Sequence, residues 1–593
     1  MALVNIKIEG RPYQVEEGLT ILEACRSVGY RVPSLCTFNH GQCSKASCRV
    51  CLVAVKGARG LVASCVYPVN EGMEISIADQ NAMEARRANV ELLLSNHNMN
   101  CQQCEKNGHC ELLEVAKIVG AREGMYQGEK TPTTFDNLAP SLVRDTSKCI
   151  LCGRCIERCK DAQGIGILGF ENRGFNTIVG PSGNRSFATS PCIQCGQCVN
   201  VCPTGALMEH SEIDLVDKAF KEGKKVIVQT APAVRAAIAE EFGAKIGTVG
   251  TGKMVAALHR LGFYRVFDTN FGADLTIMEE AYELLGRIKN GGVLPQITSC
   301  SPGWVNYLEY YYPEVIPHVS SCKSPHEMLG AIIKSYYAKK HDIDPKGLFV
   351  VSIMPCVAKK YEKDRPANRA VDGLKDVDAV LTTRELAKMI KRAGIDWNYL
   401  PEEEFDQDLL GEYTGAGVIF GVTGGVMEAA LRTAYFALTG EEYPKIEFKE
   451  VRNVSLFKEA TIKMGDQEVR IAAVSGMKNA KPLLEDVKNG KSPYHFIEIM
   501  GCPGGCINGG GQPYVHPNLL PNEDANILDT YIAKRASVLY SEDERLVLRQ
   551  SHNNPDIKKL YKDYLGEPCS HLAHELLHTS YEANREKYPQ VKK

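Results

Sequence analysis

Residues 149–160 read C-I-L-C-G-R-C-I-E-R-C-K and residues 192–203 read C-I-Q-C-G-Q-C-V-N-V-C-P. The spacing C-x2-C-x2-C-x3-C therefore occurs twice, the second time followed by Pro203. Thiolates two or three residues apart on one loop reach a single metal centre. In this spacing two [4Fe–4S] clusters share one small fold, and the fourth cysteine of each run ligates the other cluster. Cys149, Cys152, Cys155 and Cys202 are expected to hold one cluster, and Cys192, Cys195, Cys198 and Cys159 the second. Such an exchange implies a pseudo-two-fold unit with the clusters close together, suited to electron transfer rather than a purely structural role.

Cysteine is abundant throughout, with 23 in 593 residues, and sixteen of the first seventeen lie between Cys36 and Cys202. A small secreted chain would use them as disulfides, but this chain is large and begins in an alternating strand pattern without a signal-peptide block. Metal ligation and a cytoplasmic location are expected. Hydrophobic content of 44% and charged content of 24% suit a globular protein of several domains. A net charge of −3 argues against general binding to nucleic acid or anionic membranes. No apolar run approaches the roughly 18 residues of a membrane span.

Residues 1–79 read as a β-rich domain, with Val4, Ile6 and Ile8 alternating before a turn at Glu9-Gly10. Cys36, Cys48, Cys51 and Cys65 suit a [2Fe–2S] cluster, although the spacing C-x4-C-x2-C would choose Cys43 in place of Cys36. Residues 80–140 begin with a helical stretch. They continue into His97, Cys101, Cys104 and Cys110, spaced H-x3-C-x2-C-x5-C, for which spacing alone leaves zinc open beside iron. Residues 141–212 carry the double repeat. Beyond them cysteine thins out and residues 213–593 read as an α/β enzyme, with a buried strand at 226–228 and helices at 253–261 and 279–288. That boundary is a shift in composition, not a flexible linker.

Three motifs bring distant cysteines into the second half. They are T-S-C-S-P-G-W at 298–304, M-P-C-V-A-K-K-Y-E at 354–362, and E-I-M-G-C-P-G-G-C-I-N-G-G-G-Q-P at 498–513. Cys300, Cys356, Cys502 and Cys506 would suit one [4Fe–4S] cluster, and Lys359 could donate a charged hydrogen bond to an anionic ligand. The six glycines of the third motif let backbone close on a large cofactor.

These motifs resemble the signatures of iron-only ([FeFe]) hydrogenases, over essentially the whole chain. P-S-L-C-T-F with S-C-R-V-C-L-V-A-V, and the His97 set, resemble the domains that family shares with the large iron–sulfur subunit of respiratory complex I. The resemblance favours Cys36 as a [2Fe–2S] ligand and iron at the His97 set. It implies a multidomain α+β protein: a β-grasp [2Fe–2S] domain, a His-ligated cluster domain, a two-cluster ferredoxin domain and a large α/β catalytic domain with a helical tail. It implies three accessory [4Fe–4S] clusters, so that four clusters in a row form a wire. It also implies an H-cluster, a [4Fe–4S] unit joined through Cys506 to a two-iron subsite with carbon monoxide, cyanide and an azadithiolate. Lys359 would hydrogen-bond a cyanide, and Met354, Pro355, Met500 and Gln512 would surround the cofactor. The implied reaction interconverts hydrogen with protons and electrons, with protons passing Glu280, Ser320, Glu283 and Arg287.

One departure leaves two readings open. The family's first motif has two adjacent cysteines, a proton relay followed by a cluster ligand, whereas this chain has Cys300-Ser301. Cys300 is the expected ligand, because thiolate is the softer donor; position by position, Cys300 would be the relay and Ser301 the ligand. The layout and the Cys-Ser variant also resemble catalytic subunits of NAD(P)-linked, electron-bifurcating hydrogenases. The chain lacks a persuasive dinucleotide motif, so a flavin- and NAD(P)-binding partner, besides ferredoxin, is expected. A stand-alone ferredoxin-dependent enzyme, a hydrogen sensor and a cluster-assembly scaffold are the alternatives. Two motifs read as decoys: H-E-L-L-H at 574–578, outwardly a zinc-peptidase motif, and G-T-V-G-T-G-K-M at 247–254, where Met254 stands at the magnesium-binding position of a phosphate loop. Cys25, Cys43, Cys322 and Cys569 are expected to be buried or incidental thiols, and Trp304 and Tyr310 to Tyr312 core.

Overall fold

The computed structural model describes residues 2–38, 43–443, 452, 455–464, 467–515 and 527–583. Strand β1 (Leu3–Ile8) turns Val4, Ile6 and Ile8 inward. It pairs with β2 (Arg11–Glu16) across a turn whose Glu9 and Gly10 both have positive φ. Helix α1 (Ile21–Ser27) opens with a reciprocal cap between Thr20 and Glu23. The sheet continues through β3 (Leu52–Val55), β4 (Val62–Ala63) and β5 (Glu74–Ser76) in the order β2-β1-β5-β3-β4, with β1 and β5 parallel. This is the β-grasp arrangement.

Helices α2 (Gln80–Asn96) and α3 (Glu111–Val119) follow. Their Val90, Leu94, Leu112 and Val115 form one apolar cluster with Leu35, Cys36, Cys48, Ile150 and Cys152. The double repeat is visible in backbone as well as sequence. Leu151 and Gln194 have φ of 54° and 55°, and the equivalent Gly153 and Gly196 have φ of 76° and 72°. Each glycine starts a helix, α4 (Arg154–Gln163) or α5 (Gln197–Val201). Antiparallel strands β6 (Leu142–Asp145) and β7 (Leu207–Glu209) close this unit.

Among the described residues, 213–593 contain two four-stranded sheets. The first contains β8 (Lys225–Thr230), β9 (Arg265–Asp268), β11 (Leu348–Met354) and β12 (Ala379–Thr382), all parallel in the order β9-β8-β11-β12. The second contains β10 (Gln296–Ile297), β13 (Phe457–Met464), β14 (Gln467–Ser475) and β15 (Phe496–Met500) in the order β10-β15-β14-β13, with only β13 antiparallel. Near-continuous apolar runs such as V-I-V and F-I-E-I-M suit strands covered on both faces. Helix α6 (Thr269–Asn290) lies between the sheets. Its Phe271, Leu275 and Met278 join the core of the first sheet, and Ala273, Ile277 and Ala281 join that of the second.

Helix α7 (Pro302–Tyr311) carries Trp304 and much of the tyrosine run into the core. Helices α8 (Pro325–Ile332), α9 (Thr383–Arg392) and α10 (Gly425–Thr439) complete the surroundings of the site, and α11 (Ile527–Arg545) and α12 (His571–Leu577) form the tail. Arg384 on α9 grips both carboxylate oxygens of Glu209 on β7 at 2.9 and 2.8 Å and the Gly510 carbonyl at 2.7 Å. The two-cluster unit is thus fastened to the catalytic region by a buried charge pair. Among the described residues no helix is long and apolar enough to cross a membrane.

Candidate active site

Parallel strands from both sheets end at one point. Beyond β8 comes Ala231-Pro232, beyond β10 Cys300-Ser301, beyond β11 Pro355-Cys356, and beyond β15 Gly501-Cys502. All of these residues, with Met354, Met500, Lys359 and Cys506, line a cavity of about 80 Å³. Carboxyl ends of parallel strands are where open α/β sheets bind ligands, and here two sheets contribute. The glycine-rich loop closes the cavity by direct backbone contact. Gly504 and Gly505 have φ of 84° and 104°, and a Cβ on Gly505 would lie 2.7 Å from the Thr423 nitrogen. Glu498 holds this arrangement from beneath, accepting from the Gly424 and Met427 amides at 2.6 and 2.9 Å and so anchoring the start of α10.

The cavity combines thiols, apolar side chains and one cation. Lys359 donates to the Cys300 carbonyl at 3.1 Å and to Glu362 at 2.7 Å, and its ammonium carries a third hydrogen. Cys356, Cys502 and Cys506 are one another's electrostatic neighbours. Cys300 lines the same cavity, with Cys506 among its electrostatic neighbours. Burial, followed by the nearby charges of Glu280 and Cys506, pushes its thiol well above the usual range. Ser301 instead meets the third motif, accepting from the Gly501 amide at 3.0 Å. Three thiols, a serine hydroxyl beside them and a lysine above an apolar cavity form a donor set that fits an anionic iron–sulfur centre.

From Cys300 a line of polar groups runs outward along α6. Glu280 is fully buried, the Ser320 hydroxyl and the Ser299 backbone face its carboxylate, and burial, reinforced by Glu283, raises its carboxyl to about 8. One turn on, Glu283 accepts from Ser320 at 2.8 Å and from Arg287 at 2.7 Å. The structure therefore brings Cys300, Glu280, Ser320, Glu283 and Arg287 into succession.

The accessory cysteines gather in the sets drawn from their spacing. Cys149, Cys152, Cys155 and Cys202 line one cavity of about 20 Å³, and Cys159, Cys192, Cys195 and Cys198 line another of about 20 Å³. The thiols of Cys36, Cys48, Cys51 and Cys65 are buried and linked by mutual contacts; the side chain of Cys43 lies outside the described residues. His97 is buried with Nδ1 lacking any partner, which fits a metal ligand. Cys104 and Cys110 are electrostatic neighbours.

The sets do not lie in a single row. Cys36 and Cys48 pack in one cluster with Cys152, while the Cys104 sulfur lies 2.6 Å from where a Cβ on Gly205 would be, three residues from Cys202. Both N-terminal sets thus adjoin the two-cluster repeat, with α2 and α3 side chains in the same apolar cluster. At the other end, Gly196 and Gly510 pack backbone to backbone, Gln197 donates to the Asn508 carbonyl at 2.9 Å and Asn200 to Gly509 at 3.0 Å. The Cys195 set therefore abuts the glycine-rich loop.

Other expectations also change. Gln512 does not line the cavity; it is a buried tether that donates to the Ala233 carbonyl at 2.8 Å and accepts from Thr383 at 2.7 Å. Cys322 is buried, as expected, and it and Cys569 each adjoin a glutamate of α6. Sequence reasoning missed Ala231, Pro232, His326 and Phe420 in the cavity wall; the dipeptides A-P after β8 and P-H at the start of α8 were the available signals. Glu402 fills the space beside Gly252, which excludes a phosphate there, and no strand leads into the loop. In H-E-L-L-H, Glu575 is exposed while His578 is buried against Glu279, so the glutamate and the second histidine of the motif do not share one open face.

Comparison with known proteins agrees with this geometry. Residues 224–510 match the iron only hydrogenase large subunit, C-terminal domain, and residues 529–584 the iron hydrogenase small subunit. Residues 1–80 match a 2Fe-2S iron-sulfur cluster binding domain, 86–124 the NADH-ubiquinone oxidoreductase-G iron-sulfur binding region, and 148–206 a 4Fe-4S dicluster domain. NADP-reducing hydrogenase subunit HndD of Solidesulfovibrio fructosivorans is 47% identical over 98% of this chain and 99% of its own. Iron hydrogenase 1 of Clostridium pasteurianum is 43% identical over 97% and 99%. The solved [FeFe]-hydrogenase HydA1 from Chlamydomonas reinhardtii is 44% identical, covering 62% of this chain and 98% of that one, with a TM-score of 0.55. The chain belongs to the iron-only hydrogenase family and is an oxidoreductase of that family.

Proposed function

We propose that this chain interconverts hydrogen with two protons and two electrons at an H-cluster held by Cys356, Cys502 and Cys506, with Cys506 shared with the two-iron subsite. The convergence of those thiols and Lys359 on one cavity carries the reading. The bound cluster supplies the chemistry that splits hydrogen heterolytically. Lys359, fixed by Glu362, orients the cofactor's anionic ligands, and Met354, Pro355 and Met500 keep water away. Ser301 stands at the fourth ligand position of the family's motif, while Cys300 holds a proton next to Glu280. Protons then pass through Glu280, Ser320 and Glu283 toward Arg287.

Electrons use one [2Fe–2S] cluster at Cys36, Cys48, Cys51 and Cys65 and three [4Fe–4S] clusters. These are held by His97 with Cys101, Cys104 and Cys110, by the Cys149 set, and by the Cys195 set. The near-full-length likeness to a protein named as a subunit of an NADP-reducing hydrogenase supports a partnered catalytic subunit; the proposed complex is cytoplasmic, anaerobic and electron-bifurcating. Its electrons would pass to ferredoxin and to NAD(P) through a flavin-bearing partner. The test supplies hydrogen to the mature chain with either a viologen dye or NAD(P). Dye reduction alone, with NAD(P) reduced only after a flavoprotein partner is added, is expected. Failure to reduce the dye contradicts the hydrogenase reading, and NAD(P) reduction by this chain alone contradicts the partnered one. Ser301 favours a second reading, a hydrogen sensor, which predicts an intact cofactor with negligible turnover.

A further inference from the structure

The outward line of polar groups ends on a residue that cannot finish the task. Arg287 clamps Glu283, but a guanidinium does not lose its proton in a protein, so it positions Glu283 without accepting anything from it. Another group reaches the same carboxylate. The C-terminal segment pairs with residues 321–323, Lys323 donating to the Leu577 carbonyl at 2.8 Å and Thr579 to the Ser321 carbonyl at 2.7 Å. This pairing sets the His578 ring beside α6. Carboxylate, thiol and imidazole atoms of Glu283, Cys322 and His578 all lie within 4.8 Å of one another. The Ser321 amide faces both Glu283 oxygens at 3.3 and 3.2 Å, and its hydroxyl is 2.8 Å from His578 Nδ1. His578 Nε2 lies 3.0 Å from Glu279. Because that carboxylate accepts from Nε2, Nδ1 is free to accept from Ser321.

We propose that His578 takes the proton from Glu283 and is the group through which protons leave the chain, with exposed His574 as the outlet; this rests on the proton path proposed above. The two rings lie 4.0 Å apart between centroids, and His574 faces solvent. In the outward direction, the Glu283 O–H bond breaks and an N–H bond forms on the His578 imidazole, a ring nitrogen of which lies within 4.8 Å of that carboxylate. The resulting imidazolium is balanced by Glu279, which Tyr561 and the Cys569 amide hold in place. It then gives a ring proton to the neighbouring His574 ring, which releases one to solvent. One proton moves in each cycle, with nothing oxidised or reduced. The charged and titratable groups facing His578 are Glu279 and Glu283 from α6, Cys322 from its loop, and Cys569, Tyr561 and His574 from the tail. The H-E-L-L-H sequence thereby acquires a role: its two histidines are successive proton carriers.

The test compares His578→Gln, which keeps a side chain able to hydrogen-bond, with Arg287→Gln in the mature, cluster-loaded protein. His578→Gln is expected to lower turnover at least about tenfold, the scale of lost acid–base catalysis. Its cofactor infrared bands should remain unchanged and its solvent isotope effect should rise. Added imidazole should restore turnover in His578→Gly. Arg287→Gln should lose less. Wild-type turnover and pH profile in His578→Gln, or a loss in both His578 variants with no isotope effect and no imidazole rescue, would overturn the assignment. Turnover by the unsubstituted protein tests the hydrogenase reading separately.

Discussion

Glu280 offers a quantitative handle on the proton path, because its environment should leave a mark on stability as well as on rate. Burial, then the charge of Glu283, raises its carboxyl from an ordinary 4.5 to about 8. The folded chain therefore keeps Glu280 protonated where the unfolded chain ionises it. The contribution to stability is fully present below 4.5, is lost as pH rises, and levels off above about 8. Each pH unit in that window removes about 1.4 kcal/mol, roughly 5 kcal/mol in all. Glu280→Gln is neutral at every pH and escapes this loss. Its stability relative to the unsubstituted protein should thus rise by several kcal/mol between about pH 5 and about pH 8.5. Any fixed cost of the amide group shifts the comparison without changing its slope. Calorimetry of the catalytic-domain transition in anaerobic, cluster-loaded protein measures the difference. The same variant should lose at least about a hundredfold in turnover with its cofactor intact. A stability difference that does not change with pH would refute the buried, protonated carboxyl, and near-normal turnover would remove Glu280 from the path.

Three further outcomes follow from the same structure. Ser301→Ala should perturb the electron paramagnetic resonance of the four-iron part of the H-cluster, while Cys300→Ala should slow turnover and leave that signal; the reverse pattern would make Cys300 the ligand. Arg154 donates to both Glu111 oxygens at 2.8 Å, and the pair is buried between α4 and α3. Arg154→Ala should therefore cost about 3–5 kcal/mol and loosen the His97 unit, read as faster amide exchange in α3. Gly510→Ala would drive a methyl group into the Cys195 carbonyl and Gly196. It should lower stability by about 1–3 kcal/mol and slow hydrogen-driven reduction of the accessory clusters in stopped-flow spectra.

What could be read from sequence alone was mostly local. Cysteines two and three residues apart must share a loop, so the Cys149 and Cys195 sets follow from spacing, even with their exchanged fourth members. Alternation in β1 and the apolar runs of β8 and β15 likewise report faces that each strand buries. Contacts between distant segments were harder to read. Nothing local to Q-P at the end of the third motif says that Gln512 bonds Ala233 and Thr383 rather than a cofactor. Cys322 and Cys569 look like stray thiols until the tail folds back on α6. The placement of both N-terminal cysteine sets against the two-cluster repeat depends on how α2 and α3 pack, which no spacing encodes. His326 entered the cavity wall with only the short P-H signal at the start of α8, which marks a helix start and says nothing of the cavity that helix faces.

The central claim is that Cys356, Cys502, Cys506 and Lys359 surround a hydrogen-activating iron centre. Infrared spectroscopy of the anaerobic, matured protein tests it most directly, with hydrogen uptake measured on the same sample. The account predicts bands of iron-bound carbon monoxide and cyanide, cyanide bands that shift in Lys359→Met, and turnover with hydrogen. Absence of those bands after maturation would contradict it.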